Sequence, residues 1–150
     1  MTNRTLLTTR LGGKITGPTT WMKQTMTDNT YIFVYSRAQA IADGVLVDVT
    51  ETAREAGLKY PTALTATVWA QYVTVPEGVI AQDEQGRLWD ILWMLRCAIL
   101  RSNRTETSQI EFQLLVRNDN RHPEQVTLKA LCGPGDRAEP VITVMLPHED

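Results

Sequence analysis

Eleven of the thirteen residues from 88 to 100 are apolar, and only Asp90 and Arg96 interrupt the run. Wound as a helix, this stretch carries hydrocarbon around almost its full circumference, which predicts burial on most sides. It falls short of the roughly twenty residues that a membrane span needs, and its flanks are polar. The expectation is a central core helix with no membrane association. Trp89 and Trp93 are one turn apart and can stack, while Leu88, Leu92, Leu95 and Ile99 form the adjacent stripe. If that surface stays bare in one chain, it would serve a homodimer or another partner. Asp90 and Arg96 fall on different helix faces, so each needs its own partner, because a buried unpaired charge is costly.

Around this rod the pattern is short and mixed. Residues 31–35 form an aromatic and β-branched run that predicts a buried strand. Ser36 is placed to cap a helix over 37–43, and Gly44 to stop it. Residues 44–49 alternate as a second strand, and Thr50 is the expected cap of a helix over 51–56 that Gly57 closes. After Pro61, Thr62 is read as the cap of a further helix reaching residue 73, although β-branched Thr65, Thr67 and Val68 oppose it. Beyond residue 108 the period changes to two. Ile110, Phe112 and Leu114 alternate with Glu111 and Gln113, then Val126, Leu128, Ala130 and Cys132 alternate with Thr127 and Lys129. An apolar run over 141–146 follows the Gly133-Pro134-Gly135-Asp136 turn. The expected class is α+β: short strand-helix units, a central buried helix, and a C-terminal three-stranded antiparallel meander packed on it.

The chain has 150 residues, 43% of them apolar, which suits one domain. Its net charge of −2 hides an asymmetry. Residues 1–28 carry Arg4, Arg10, Lys14 and Lys23 against Asp28 alone, so the rest is acidic. This threonine-rich, glycine-containing segment reads as a flexible arm, with a single α+β domain over 29–150. An acidic body offers no cationic cluster for a phosphate backbone, so direct nucleic-acid binding is not expected. Cys97 and Cys132 lack metal-ligand spacing and favour a reducing, cytoplasmic setting, and the first ten residues carry no export signal. His122 beside Pro123 and His148 near the carboxyl end are surface positions, and no metal or cofactor is expected. The Gly133-Pro134-Gly135-Asp136 turn is a poor anion cradle, since proline removes an amide and Asp136 adds negative charge.

One junction could carry chemistry. Tyr35-Ser36-Arg37 presents hydroxyls and a guanidinium where a strand meets a helix. Over about fifteen residues this opening resembles ADP-ribosyltransferase and RNA phosphotransferase domains. The resemblance implies a later glutamate that polarises a ribose hydroxyl. The motif around that glutamate is not matched here, and Glu111 takes the role by position alone. Ser36, Arg37 and Glu111 are therefore the candidate catalytic set of a small modifying enzyme, while helix capping and surface charge are the plain alternative.

A broader likeness spans residues 31–150. It rests on 36–49 with Asp43-Gly44, on 55–61 with Gly57 and Pro61, on Gly86-Arg87-Leu88-Trp89-Asp90, on Gly133-Pro134-Gly135-Asp136, and on 139–147. These segments resemble an uncharacterised family of small bacterial proteins carried on plasmids, integrative elements and phages. The resemblance implies a context rather than an activity: a mobile-element protein that binds a host or defence-system protein, as anti-CRISPR or anti-restriction inhibitors do. Glu51, Glu55, Asp83 and Glu84 are the candidate partner-binding carboxylates. The leading expectation is a non-enzymatic interaction protein. The competing expectations are the modifying enzyme and a self-associating structural protein.

Overall fold

The computed structural model describes residues 22–27, 30–102 and 107–150. Residues 1–21 of the expected arm lie outside the described residues. Its last part contributes β1 (Met22–Thr27), which pairs antiparallel with β2 (Thr30–Phe33) in a two-stranded hairpin. The strand expected over 31–35 thus ends at Phe33 and stands apart from the main sheet, and Val34 and Tyr35 are exposed rather than buried.

The next elements follow local chemistry closely. In α1 (Arg37–Ala42) the Ser36 hydroxyl accepts from the Gln39 amide at 3.0 Å, and Gly44 leaves the helix at φ +77°. After β3 (Leu46–Asp48), α2 (Thr50–Glu55) begins one residue earlier than the Thr50 cap implies. Asp48 causes this. Its carboxylate accepts from the Thr50 amide at 3.1 Å, so the Thr50 hydroxyl is free to accept from the Thr62 amide at 3.1 Å. Gly57 closes α2 at φ +93°.

The helix expected from Thr62 is instead strand β4 (Thr62–Thr65), with Thr62, Ala63 and Leu64 wholly buried. A strand covered on both faces takes apolar and β-branched residues without alternation, so its sequence lacks the period that marks half-exposed strands. Thr65, not Thr62, caps the helix that follows, its hydroxyl accepting from the Val68 amide at 3.3 Å. That helix, α3 (Ala66–Val68), widens at once into a π-turn over Trp69–Val73.

The long helix α4 (Glu84–Arg101) starts at Asp83, whose carboxylate accepts from the Gly86 amide at 2.8 Å. Then come β5 (Gln109–Val116), β6 (Glu124–Pro134) and β7 (Pro140–Met145), the expected antiparallel meander. The five-stranded sheet runs β3-β4-β7-β6-β5, with β4 parallel to β7 and the other pairings antiparallel. One sheet face packs Leu64, Phe112, Leu114, Leu128, Ile142 and Val144 against Leu88, Ile91, Leu92 and Leu95 of α4, with Ala53 and Ala56 of α2 joining them. The buried stripe of α4 is 88, 91, 92 and 95, Trp89, Met94 and Ala98 pack half-buried beside it, and the helix is shielded on all but a strip that includes Trp93, Ile99 and Leu100. Trp93 is 42% exposed and Leu100 68%.

The other sheet face is closed by long-range polar contacts. Asp136, in the turn before β7, accepts from the Arg37 and Ala38 amides at 2.7 and 2.9 Å and so caps α1. The Arg37 guanidinium donates to the Thr143 hydroxyl at 2.7 Å and the Ile142 carbonyl at 2.9 Å. The Glu149 carboxylate accepts from the Leu146 amide at 2.7 Å and the Thr65 hydroxyl at 2.9 Å, while the Lys129 ammonium donates to the Glu149 carbonyl.

Leu92, with no exposed surface, tests the helix-on-sheet core. Leu92→Ala should lower unfolding stability by about 2–5 kcal/mol in urea, whereas Leu115→Ala, on an exposed side chain, should change it by less than about 1 kcal/mol. Glu149 predicts a pH effect. Burial pushes its carboxyl up, but bonds from Leu146, Thr65 and Thr67 and the charge of His148 outweigh burial and bring it down. Its stabilising contribution is complete above the unfolded glutamate value of about 4.3 and is lost as pH falls through the lower folded value. Glu149→Gln should therefore lower the urea midpoint near neutral pH and flatten its decline in acid.

Candidate functional site

The core takes most of α4, with Trp89 and Met94 half-buried against it, and leaves Trp93, Ile99 and Leu100 exposed. Trp89 and Trp93 stack there with ring centroids 6.1 Å apart and planes inclined by 14°. The next turn places the Arg96 guanidinium 5.2 Å from the Trp93 ring centre, a cation held over an aromatic face. Gly57 makes that placement feasible. A Cβ there would lie 2.6 Å from Arg96 Nε, so only a residue without one lets the arginine lie across the end of α2. Past Arg96 the helix surface ends in Ile99 and Leu100, both exposed.

These last residues form one wall of a cleft of about 440 Å³. Leu58 and Tyr60 after α2, Ile110 on β5 and Cys132 on β6 complete its apolar lining, and Lys59 and Arg96 bring positive charge to it. Its chemistry suits holding an apolar group with a neighbouring anionic one. Cys132 is a free thiol, and no histidine is among the described residues that line the cleft. Among the described residues no group of three or more His, Cys, Asp and Glu could hold a metal ion, and no described helix is long and apolar enough to cross a membrane.

The sequence-derived candidates lie elsewhere. Ser36 spends its hydroxyl capping α1, and Arg37 spends its guanidinium on β7. Glu111 is exposed on β5, opposite Lys129 and separated from β7 by β6. No cleft among the described residues gathers the three. Glu51 and Glu55 are exposed on α2, whose end meets Arg96, while Asp83 and Glu84 are exposed at the start of α4. Arg96 lies about 20 Å along the axis of α4 from Asp83, so the second acidic pair is remote from the contact between α2 and Arg96. His122 and His148 are exposed, and Asp90 and Arg96 point to different sides as their spacing requires. Arg96 and Gly57 are the functional candidates that sequence reasoning missed. Arg96 at i+3 from Trp93 was a readable signal, but its approach to Gly57 depends on how α2 meets α4.

Gly57→Ala should displace Arg96 and impose a strained backbone, lowering stability by about 1 kcal/mol or more. Tryptophan fluorescence should report the lost cation over Trp93, and an unchanged emission spectrum would separate the two residues.

No curated protein and no solved structure shows significant similarity to the chain. A family model described as a family of unknown function, DUF6573, matches residues 22–150 and begins where β1 begins. The match covers both the hairpin and the whole sheet with α4, and the chain belongs to this family.

Proposed function

We propose that this chain is a non-enzymatic interaction protein that binds a host or defence-system protein through the outer face of α4. The observation that carries this reading is exposed Trp93, stacked on half-buried Trp89 at the edge of the core, with Arg96 over it and leading into the apolar cleft. Tryptophan and arginine are the side chains that most often dominate binding energy, and they do so where neighbouring contacts exclude water. A partner that seats an apolar side chain in the cleft and covers the two tryptophans would dehydrate the Arg96–Trp93 pair and strengthen it. The bacterial mobile-element setting implied by the sequence likeness supports a partner drawn from restriction, CRISPR or other host complexes. The acidic candidates Glu51 and Glu55 flank this face through α2 and would set approach and register rather than affinity.

Self-association is a second reading, favoured by spacing. Gly86, Trp89, Trp93, Arg96 and Leu100 follow one another at intervals of three and four, the seam along which two helices pack. Sedimentation of the purified chain at micromolar concentration decides between them. A dimer lost in Trp93→Ala supports the seam, and a monomer removes it.

Affinity capture from bacterial hosts carrying such systems tests the leading reading. A stoichiometric partner should be retained by the natural chain and by Leu115→Ser, which alters an exposed apolar residue on the far sheet face, and should weaken about tenfold or more with Trp93→Ala. Equal retention by Trp93→Ala, or no stoichiometric partner from several hosts, overturns it.

A further inference from the structure

A second cleft, of about 330 Å³, lies toward the other end of α4, between its first turns and the end of β5. Its walls include Arg87, Arg117 and Arg121 against a single carboxylate, Asp90. Arg87 is the unusual member. It is 6% exposed, and its guanidinium donates to the Tyr72 and Arg117 carbonyls at 3.0 and 2.8 Å, to Gln82 Oε1 at 3.0 Å and to Asn118 Oδ1 at 2.6 Å. All four acceptors are neutral oxygens. Burial lowers the Arg87 pKa, and no carboxylate among the described residues acts in the opposite direction. A buried cation is ordinarily paired, because its own desolvation is costly. Beside it, Arg117 gives one terminal nitrogen to the Ile80 carbonyl at 2.6 Å, yet its Nε is buried with no acceptor. Buried donors without partners are rare in native proteins and ask for an unseen acceptor.

From these observations we infer that the cleft is a binding site for an oxyanion, a phosphate or carboxylate group, held by Arg117 and Arg121 and stabilised by the fixed charge of Arg87. Arg117 brings its charge to the cleft wall, and its unfilled Nε–H, itself buried, reaches the ligand as the side chain turns into the cleft. Arg121 is exposed, its backbone amide donates to Asp119, and among the described residues its guanidinium makes no hydrogen bond, so it can close on the ligand. Asp90 is on the same wall as Arg87, one helical turn on, and its carboxyl is pushed up by burial. A ligand carrying a donor next to its oxyanion would satisfy Asp90 as well. Arginine forks match both phosphate and carboxylate oxygens, so the protein chemistry is shared by the two sources. This site is separate from the tryptophan face and does not depend on it.

The test uses the full chain with its arginine Nε–H groups followed by nuclear magnetic resonance. Inorganic phosphate and acetate are titrated separately at constant ionic strength, with chloride as the balancing anion. A saturable movement of the Arg117 Nε–H signal is expected with at least one of them, and which one identifies the source. Arg121→Ala should weaken the binding about tenfold, the effect of removing one charge-assisted bond, with the thermal midpoint unchanged. Arg117→Lys keeps the charge but removes the Nε donor and should also weaken it. Arg87→Met is the less informative variant, since it deletes four structural bonds at once. The inference is overturned if neither anion gives a saturable shift, or if Arg121→Ala and Arg117→Lys bind as tightly as the natural chain.

Discussion

The structure depends on the burial of one helical stripe, Leu88, Ile91, Leu92 and Leu95, against the inner face of a five-stranded mixed sheet. Ile91, Leu92 and Leu95 have no exposed surface, and they meet Leu64, Leu128 and Val144, which have none either. Fully buried aliphatic side chains each contribute about 1.5–3 kcal/mol over exposure, so this layer dominates what opposes chain entropy. Once α4 is set there, α2 closes one flank through Ala53 and Ala56, and the π-turn closes another through Val73. A widened turn is a common accommodation where a helix must seat a side chain that regular geometry would misplace.

One layer of contact leaves the opposite side of α4 unclaimed. Its outward strip still carries Trp93, Ile99 and Leu100, with Trp89 half-buried at the edge, more hydrocarbon than solvent exposure favours. Within the chain this is mitigated by ring stacking and by Arg96 lying across Trp93, which covers apolar area while keeping its charge at the surface. The same core helix thus holds the fold together and presents the best candidate binding face, and the end of α2 borders that face where Gly57 meets Arg96. At the other end of the helix, Arg87 performs a different role. It ties the π-turn, the Gln82 loop and the residues after β5 to α4 while introducing a charge whose four hydrogen-bond acceptors are all neutral oxygens.

The sheet's second face is secured by polar groups that meet across long sequence separations. Asp136 reaches back about a hundred residues to cap the first turn of α1, and Arg37 reaches forward to β7. Asp48, Asp136 and Glu139 all favour the Arg37 charge against the cost of its burial. Residues that could have formed a catalytic junction are therefore held in structural service: the hydroxyl of Ser36 is a cap and the guanidinium of Arg37 is a clamp.

Much of this was legible in the sequence where local physics decides. The Ser36 cap with its Gly44 stop, the closure of α2 at Gly57, the period-two meander, the stacked tryptophans and the α+β class all follow from side-chain chemistry and spacing within a few residues. Tertiary structure decided the rest. It drew Thr62–Thr65 into a strand because burial on both faces replaces the period that would announce one, and it set Met22–Thr27 into a hairpin whose partner strand lies just beyond the turn. It also chose which side of α4 faces the sheet. A run that is apolar all round contains several equivalent stripes, and only the shape of the surface it meets selects one for burial and leaves another toward solvent.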